Sequence, residues 1–266
     1  MAKKKENAAE KEIQARIEDY KELIVKKDQL LKESLSLKIK FVQEYGELTA
    51  DVFKAKIECI RLKKTISHCQ ALVNKGQKVD VEKMNAKIDG EMRGYYAELK
   101  QIINEKKMAD ESVTSDAYSS RMAKTIYYRI AKVLHPDINS KTEKTPRLSE
   151  LWNEVTEAYR KSDVDTLEDL EIKVNIALEE LGEKGFEVDI KDLEKRIERL
   201  EKQISNIVTT QPYTYSDILY DADEREKYRK NLEKELEEYK NYALSLEEVL
   251  AELMFKGGAT LTWRMN

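Results

Sequence analysis

The sequence contains few residues that interrupt helices or cross-link a small fold. Among its 266 residues are eight glycines, three prolines, two cysteines and two histidines. So few glycines and prolines exclude a loop-rich or collagen-like chain, and two cysteines exclude a disulfide scaffold. Charged residues make up 38% of the chain, which favours long solvent-exposed helices over a thick globular core. We therefore predict an elongated all-α protein.

The chain also lacks a strong excess of either charge and any long apolar run. It carries 48 basic and 52 acidic residues, for a net charge of −4, so no nucleic-acid partner is expected. No apolar run approaches the roughly 20 residues that span a bilayer. The polar start, MAKKKENAAEKE, is not followed by the apolar segment of a secretory signal. These features predict a cytoplasmic protein without a membrane segment.

The two cysteines are predicted to be buried thiols. Cys59 and Cys69 stand ten positions apart in one predicted helix, which places their Cα atoms about 15 Å apart, too far for a disulfide. His68 adjoins Cys69, but the three residues lack the paired short spacing of a zinc site. We therefore predict no metal and no cofactor.

The first part of the chain has the periodicity of a coiled coil. After Gly46, apolar residues alternate steps of three and four, at Val52, Ala55, Cys59, Leu62, Ile66, Cys69 and Val73. Asn74-Lys75-Gly76 then suits a helix end, and Asp80 suits the cap of a second helix. That helix carries Met84, Ile88, Met92, Tyr95, Leu99 and Ile102. We predict an antiparallel hairpin over residues 8–112, with pairing between two chains as the alternative.

A second heptad segment lies near the end of the chain. It follows a break at Gly182-Glu183-Lys184-Gly185 and contains Ile190, Leu193, Ile197, Leu200, Ile204 and Ile207. A turn at residues 211–215 separates it from a last helix with Leu232, Leu236, Tyr239, Ala243, Leu246, Leu250 and Leu253. These patterns predict a second hairpin over residues 186–254 and a tail over residues 255–266. Because such stripes can pair within one chain or between two, we expect a monomer or a homodimer.

Between the two hairpins, residues 115–182 form a smaller predicted module. Ser115 or Asp116 can cap its first helix, residues 117–134, which has an apolar face of Met122, Ile126, Ile130, Val133 and Leu134. The opposite face carries three basic residues, Arg121, Lys124 and Lys132, together with Tyr128. Arg129 lies near the boundary. Because Pro136 disfavours helical geometry at His135, the helix should stop there and leave an exposed loop of His135, Pro136 and Asp137.

The module continues with two further amphipathic helices. The returning helix places Leu148, Leu151 or Trp152, Val155, and Ala158 or Tyr159 at core spacing. The next has Leu167, Leu170, Val174, Leu178 and Leu181 on one face. Two antiparallel helices with a third across them would bury these faces.

These residues resemble the J domain of DnaJ-type cochaperones. Residues 127–137, YYRIAKVLHPD, look like the second helix of that domain and its loop, and residues 151–159, LWNEVTEAY, look like the third helix. The resemblance covers roughly residues 115–182. The nearest run similar to the family's first helix, Tyr95 to Leu99, lies farther upstream and is a candidate for the missing packing surface.

The resemblance implies a partner and a set of contact residues. In that family the His-Pro-Asp loop and the basic face of the preceding helix engage a DnaK-type heat-shock chaperone and stimulate its ATP hydrolysis. It therefore implies partner contacts by His135, Pro136 and Asp137, with Lys124, Arg129 and Lys132 as electrostatic contacts. The coiled-coil arms are then available for targeting, for assembly, or for a client or adaptor protein.

Two other functions compete with this hypothesis. One is a coiled-coil structural or adaptor protein whose J-like module is degenerate and has no chaperone coupling. The other is a hydrolase, since His135 and Asp137 resemble part of a catalytic triad. No positioned serine or cysteine nucleophile and no oxyanion motif is recognisable, so we predict no catalytic residue.

Overall fold

The structure is a computed structural model, which describes residues 2–112, 117–181 and 193–256. Those residues form helices connected by turns and contain no strand, so the predicted all-α class is confirmed. The helices are α1 (Ala2–Asn74), α2 (Val81–Glu111), α3 (Ala117–Leu134), α4 (Pro146–Lys161), α5 (Val164–Glu180), α6 (Leu193–Thr209), α7 (Tyr215–Leu219) and α8 (Ala222–Lys256).

The chain divides into two compact units, each built from separate stretches of sequence. Unit 1 comprises residues 1–38 and 113–214, and unit 2 comprises residues 39–112 and 215–266. The sequence had suggested three consecutive segments. The division differs because α1 is one 73-residue helix that supplies a packing surface to both units.

The centre of unit 1 is a three-helix bundle of α3, α4 and α5. Its buried core is continuous and includes Ile126, Ile130, Leu134, Leu148, Leu151, Val155, Leu167, Leu170 and Val174. The helical spacing of these residues predicted this bundle. Val25 of α1 packs into the same core, whereas Tyr95 to Leu99 belongs to unit 2. The surface expected from Tyr95 to Leu99 is therefore supplied within unit 1 by α1.

Local signals fix the helix boundaries in the bundle. Pro146 opens α4, where its missing amide hydrogen costs no intrahelical bond. Ser162 ends α4 with a φ of 55°, in the left-handed region, and the Asp163 carboxylate accepts a hydrogen bond from the Thr166 amide at 3.1 Å to cap α5. The α4–α5 connection is therefore short and well defined.

Helix α6 packs against α1 within unit 1. Its Ile197 and Leu200 are buried with Tyr20 and Ile24 of α1 and with Ile138, which follows the His-Pro-Asp loop. The sequence had predicted that α6 pairs with the last helix in a hairpin. Within unit 1 the partner of the α6 stripe is α1, and the last helix belongs to unit 2. Heptad spacing does not specify which helix is the partner.

Unit 2 is organised around the expected turn between α1 and α2. Helix α1 ends at Asn74, Gly76 has a φ of +65°, and the Asp80 carboxylate accepts a hydrogen bond from the Lys83 amide at 3.1 Å. Residues of α1, α2 and α8 share the core, among them Leu62, Cys69, Met84, Ile88, Met92, Leu250 and Met254. The predicted turn and α2 cap are confirmed, and both cysteines are buried and free.

Several sequence predictions lie outside the described residues. These are the caps at Ser115 and Asp116, the break at residues 182–185, the stripe residue Ile190 and residues 257–266 of the predicted tail. Within the part of the chain that is described, no helix is both long enough and apolar enough to cross a membrane.

Candidate functional site

The His-Pro-Asp loop follows directly from the end of α3 at Leu134, as the sequence predicted. The His135 ring nitrogen Nδ1 accepts a hydrogen bond from the Asp137 amide at 3.0 Å. This bond closes a tight turn around Pro136 and fixes the Asp137 backbone relative to the imidazole. An acceptor nitrogen in this position defines the tautomer that carries its proton on Nε2.

Two polar residues after the loop bind the last carbonyl groups of α3. The Asn139 side-chain amide donates to the Val133 carbonyl at 3.1 Å, and the Thr142 hydroxyl donates to the Leu134 carbonyl at 2.8 Å. Both side chains are almost completely buried. Because the last carbonyls of a helix have no intrahelical partners, these bonds hold the loop against the end of α3. Sequence reasoning missed both residues, although short polar side chains just after a helix end are a recognisable signal.

His135 itself is buried beneath α1, with 7% of its surface exposed. Its Nε2 lies 3.4 Å from an Asp28 carboxylate oxygen, and its ring meets the Trp152 ring edge-on at 4.8 Å. The prediction that the whole tip of the loop is exposed is therefore wrong for His135. Pro136 disfavours helical geometry locally, but the amphipathic face of α1, more than a hundred positions upstream, covers the imidazole.

Asp137 has a different environment from His135. Half of its side chain is exposed, at 49%, and its carboxylate lies 3.7 Å from the Lys27 amine of α1. Ile138, the next residue, is buried with Tyr20 and Ile24. The loop thus presents the Asp137 carboxylate to solvent, while the buried side chains of His135 and Ile138 anchor it.

Asp28 of α1 makes polar contacts with two residues of the three-helix bundle and its loop, Tyr127 and His135. Its carboxylate accepts a hydrogen bond from the Tyr127 hydroxyl at 2.8 Å. The Tyr127 ring stacks on Tyr159 at 3.9 Å. Burial, followed by the Asp28 charge, raises the pKa of Tyr127, and the same two causes raise the pKa of Tyr159 to about 12. Both phenols therefore stay protonated at neutral pH, and that of Tyr127 serves as a donor.

Lys32 lies one helical turn beyond Asp28. Its amine donates to the Ser162 hydroxyl at 2.8 Å and lies 4.0 Å from the centre of the Tyr159 ring. Burial lowers the pKa of Lys32 to about 8. Sequence reasoning missed Asp28 and Lys32, because charged residues four positions apart on a long charged helix are ordinarily a solvated pair.

The three predicted cationic contacts have separate environments. Lys132 is paired with Glu18 of α1 and lies 4.4 Å from the centre of the Tyr128 ring. Arg129 forms a two-pronged ion pair with Glu171 of α5, at 2.6 and 2.7 Å, and this hydrogen bonding raises the pKa of Arg129. Lys124 is exposed. The structure therefore brings Lys132, His135 and Asp137 together at α1 and directs Arg129 towards α5.

The groups gathered at the loop are an imidazole, a carboxylate and several cations. In the part of the chain that the structure describes, no three histidine, cysteine or carboxylate side chains converge as metal ligands. The His135 imidazole is held between the Asp28 carboxylate and the Asp137 amide. What the site offers is an exposed carboxylate on an internally bonded loop, next to cations of α1 and α3.

Comparison with known proteins leaves the chain without an assigned relative: no protein-family model matches it, and no curated protein or solved structure is significantly similar to it.

Proposed function

We propose that this chain is a J-domain-like cochaperone. It engages a DnaK-type heat-shock chaperone through the His135-Pro136-Asp137 loop and stimulates ATP hydrolysis by that partner. The observation that supports the proposal most is the loop itself. A His-Pro-Asp turn opens the connection between the packed helices α3 and α4. The His135 ring holds the Asp137 amide, and the Asp137 carboxylate is half exposed.

Each residue of the loop has a distinct role in this proposal. Asp137 is the contact group, since a carboxylate at a fixed position can accept hydrogen bonds from a cationic or amide group of the partner. His135 is a positioning residue, because it binds the Asp137 amide and packs on Trp152. Pro136 supplies the rigid bend. Lys124 and Arg129 are exposed and orient an acidic partner during encounter.

The burial of His135 favours a second candidate function. A partner that must touch the imidazole directly meets a ring that is 7% exposed and packed between Asp28 and Trp152. In that case the loop serves only to join α3 and α4, and the chain is a helical adaptor without chaperone coupling. The two functions differ in whether the loop affects the activity of another protein.

The experiment compares ATP turnover by a DnaK-type chaperone from the same organism in the presence of the full chain or its variants. We expect the wild type to accelerate turnover and His135→Gln to abolish the acceleration. A flexible glutamine does not hold an acceptor beside the Asp137 amide or pack on Trp152. The matched control is His68→Gln, which changes the only other histidine, lies in unit 2 and should stimulate fully.

Circular dichroism checks that all three proteins keep the same helical content. Equal stimulation by wild type and His135→Gln would contradict the proposed role of the loop. Absence of stimulation by the wild type would favour the adaptor.

A further inference from the structure

The loop borders two cavities: one of about 390 Å³ that His135, Asp28 and Trp152 line, and a second around Asp137. The second has a volume of about 570 Å³ and lies between α1, the loop and α6. Among the described residues that line it, four are basic, namely Lys27, Lys195, Arg196 and Arg199, and Asp137 is the one acid. This cavity is called the cationic cavity below.

The cationic cavity is built on a packed helix pair. Ile197 and Leu200 of α6 are buried against α1, and they alternate along α6 with the exposed Arg196 and Arg199. An exposed ion pair between Arg16 and Glu194, with 3.1 Å between Nε and Oε1, also joins the first turn of α6 to α1. The backbone that carries Arg196 and Arg199 is therefore ordered before a ligand binds. Binding then has to order only the two side chains.

The charge of the cavity contrasts with that of the whole chain. The protein has a net charge of −4, yet this surface concentrates positive charge next to the loop. A cluster of like charges in a concave surface attracts ligands of the opposite sign and accelerates their association. Arginine also matches the planar geometry of a carboxylate through two parallel hydrogen bonds.

We propose that the cationic cavity docks an acidic peptide segment of a protein partner. The identity of the partner rests on the proposed cochaperone function: the segment belongs to the DnaK-type chaperone. Arg196 and Arg199 of α6 bind its carboxylates beside Asp137. Such a contact lies outside the J-like module, so α6 and α1 add a second anchoring surface to the loop. It compensates for Lys132, whose charge is already paired with Glu18.

An acidic peptide fits the cavity better than a nucleic acid does. The Asp137 carboxylate would repel a phosphate backbone placed along the same wall. The aromatic residue that lines the cavity, Tyr20, is buried and offers no platform on which a base could stack. A peptide backbone also supplies amide donors for the Asp137 carboxylate between its acidic side chains, whereas a phosphate backbone has no donor.

The first test measures binding of a fluorescently labelled oligoglutamate peptide to the full chain by anisotropy at low ionic strength. We expect the wild type to bind and Arg196→Glu/Arg199→Glu to lose about tenfold or more in affinity, since two attractive contacts become repulsive. The control is Lys173→Glu/Lys202→Glu, which makes the same change in net charge at exposed positions of α5 and α6 outside the cavity. The control should keep wild-type affinity.

Three results would overturn the proposal. The first is no oligoglutamate binding by the wild type, and the second is an equal loss in the two double variants. The third is tighter binding of a labelled single-stranded oligonucleotide than of oligoglutamate through the same arginines, which would assign the cavity to nucleic acid. Circular dichroism of each variant shows that any loss is not a loss of fold.

The ATPase assay separates this proposal from the function on which it rests. If the wild type stimulates the chaperone and Arg196→Glu/Arg199→Glu stimulates equally well at limiting concentration, the cavity is not a docking surface for that chaperone. If the wild type gives no stimulation but binds oligoglutamate through the arginines, the cochaperone function fails while the acidic-peptide site stands.

Discussion

At the scale of single residues, the loop combines one anchored and one exposed group. His135 is held by Asp28 and Trp152 and in turn holds the Asp137 amide, so the imidazole acts on the carboxylate through the backbone. The sequence identified His135 and Asp137 as candidates. It could not identify Asp28, because the hydrogen bond between Asp28 and Tyr127 joins positions 99 apart and no local pattern encodes such a pairing.

Lys32 gives a pH dependence that can be tested at the same scale. Its pKa is about 8 in the folded chain against an ordinary 10.5, so the unfolded chain binds more protons between these values. The free energy of unfolding of the wild type should therefore rise with pH through this window, relative to Lys32→Met, which has no amine. Below pH 8 both states carry the proton, and this contribution is constant.

Urea unfolding of both proteins at about pH 7 and about pH 9.5 measures the effect. Lys26→Met is the control, because Lys26 is exposed on the same helix. Profiles for wild type and Lys32→Met that remain parallel across the window would show that the Lys32 amine is not desolvated.

At the scale of elements, periodicity predicted the helices and the α3–α5 bundle, but it did not predict that α1 packs on that bundle and on α6. The bounds of α3 and the apolar faces of α4 and α5 followed from spacing, because each helix must bury one stripe. Gly46 stays inside α1 although glycine is a weak helix former. A Cβ there would lie 2.8 Å from Cδ of Lys106, so the glycine permits close approach of α2. Contacts of this kind depend on which helices lie close together in space, and the spacing of residues along one helix does not specify that.

Helix α5 provides the stability test of the bundle. Leu170 is fully buried between α3 and α4, so Leu170→Ala should lower the free energy of unfolding by about 2–5 kcal/mol through lost burial and the resulting cavity. Ile172→Ala is the matched control, because Ile172 is 60% exposed on the same helix and its truncation should cost far less. Chemical denaturation followed by tryptophan fluorescence measures both, and equal losses would contradict the packing of α5.

At the scale of the whole molecule, the sequence left open whether its heptad stripes pair within one chain or between two. In the structure the stripe of α6 is buried on α1 in unit 1, and stripe residues of α1 and α2 share a core with α8 in unit 2. The strongest apolar faces are thus satisfied within one chain. Size-exclusion chromatography with light scattering should give a mass near 31.1 kDa, and twice that mass would support interchain pairing.

The central claim is that the His135-Pro136-Asp137 loop couples this helical protein to a chaperone ATPase. The most direct test is the rate of ATP hydrolysis by the DnaK-type chaperone at increasing concentrations of the full chain. We predict acceleration that saturates with the wild type and with His68→Gln and is absent with His135→Gln. Identical curves for wild type and His135→Gln would contradict the claim.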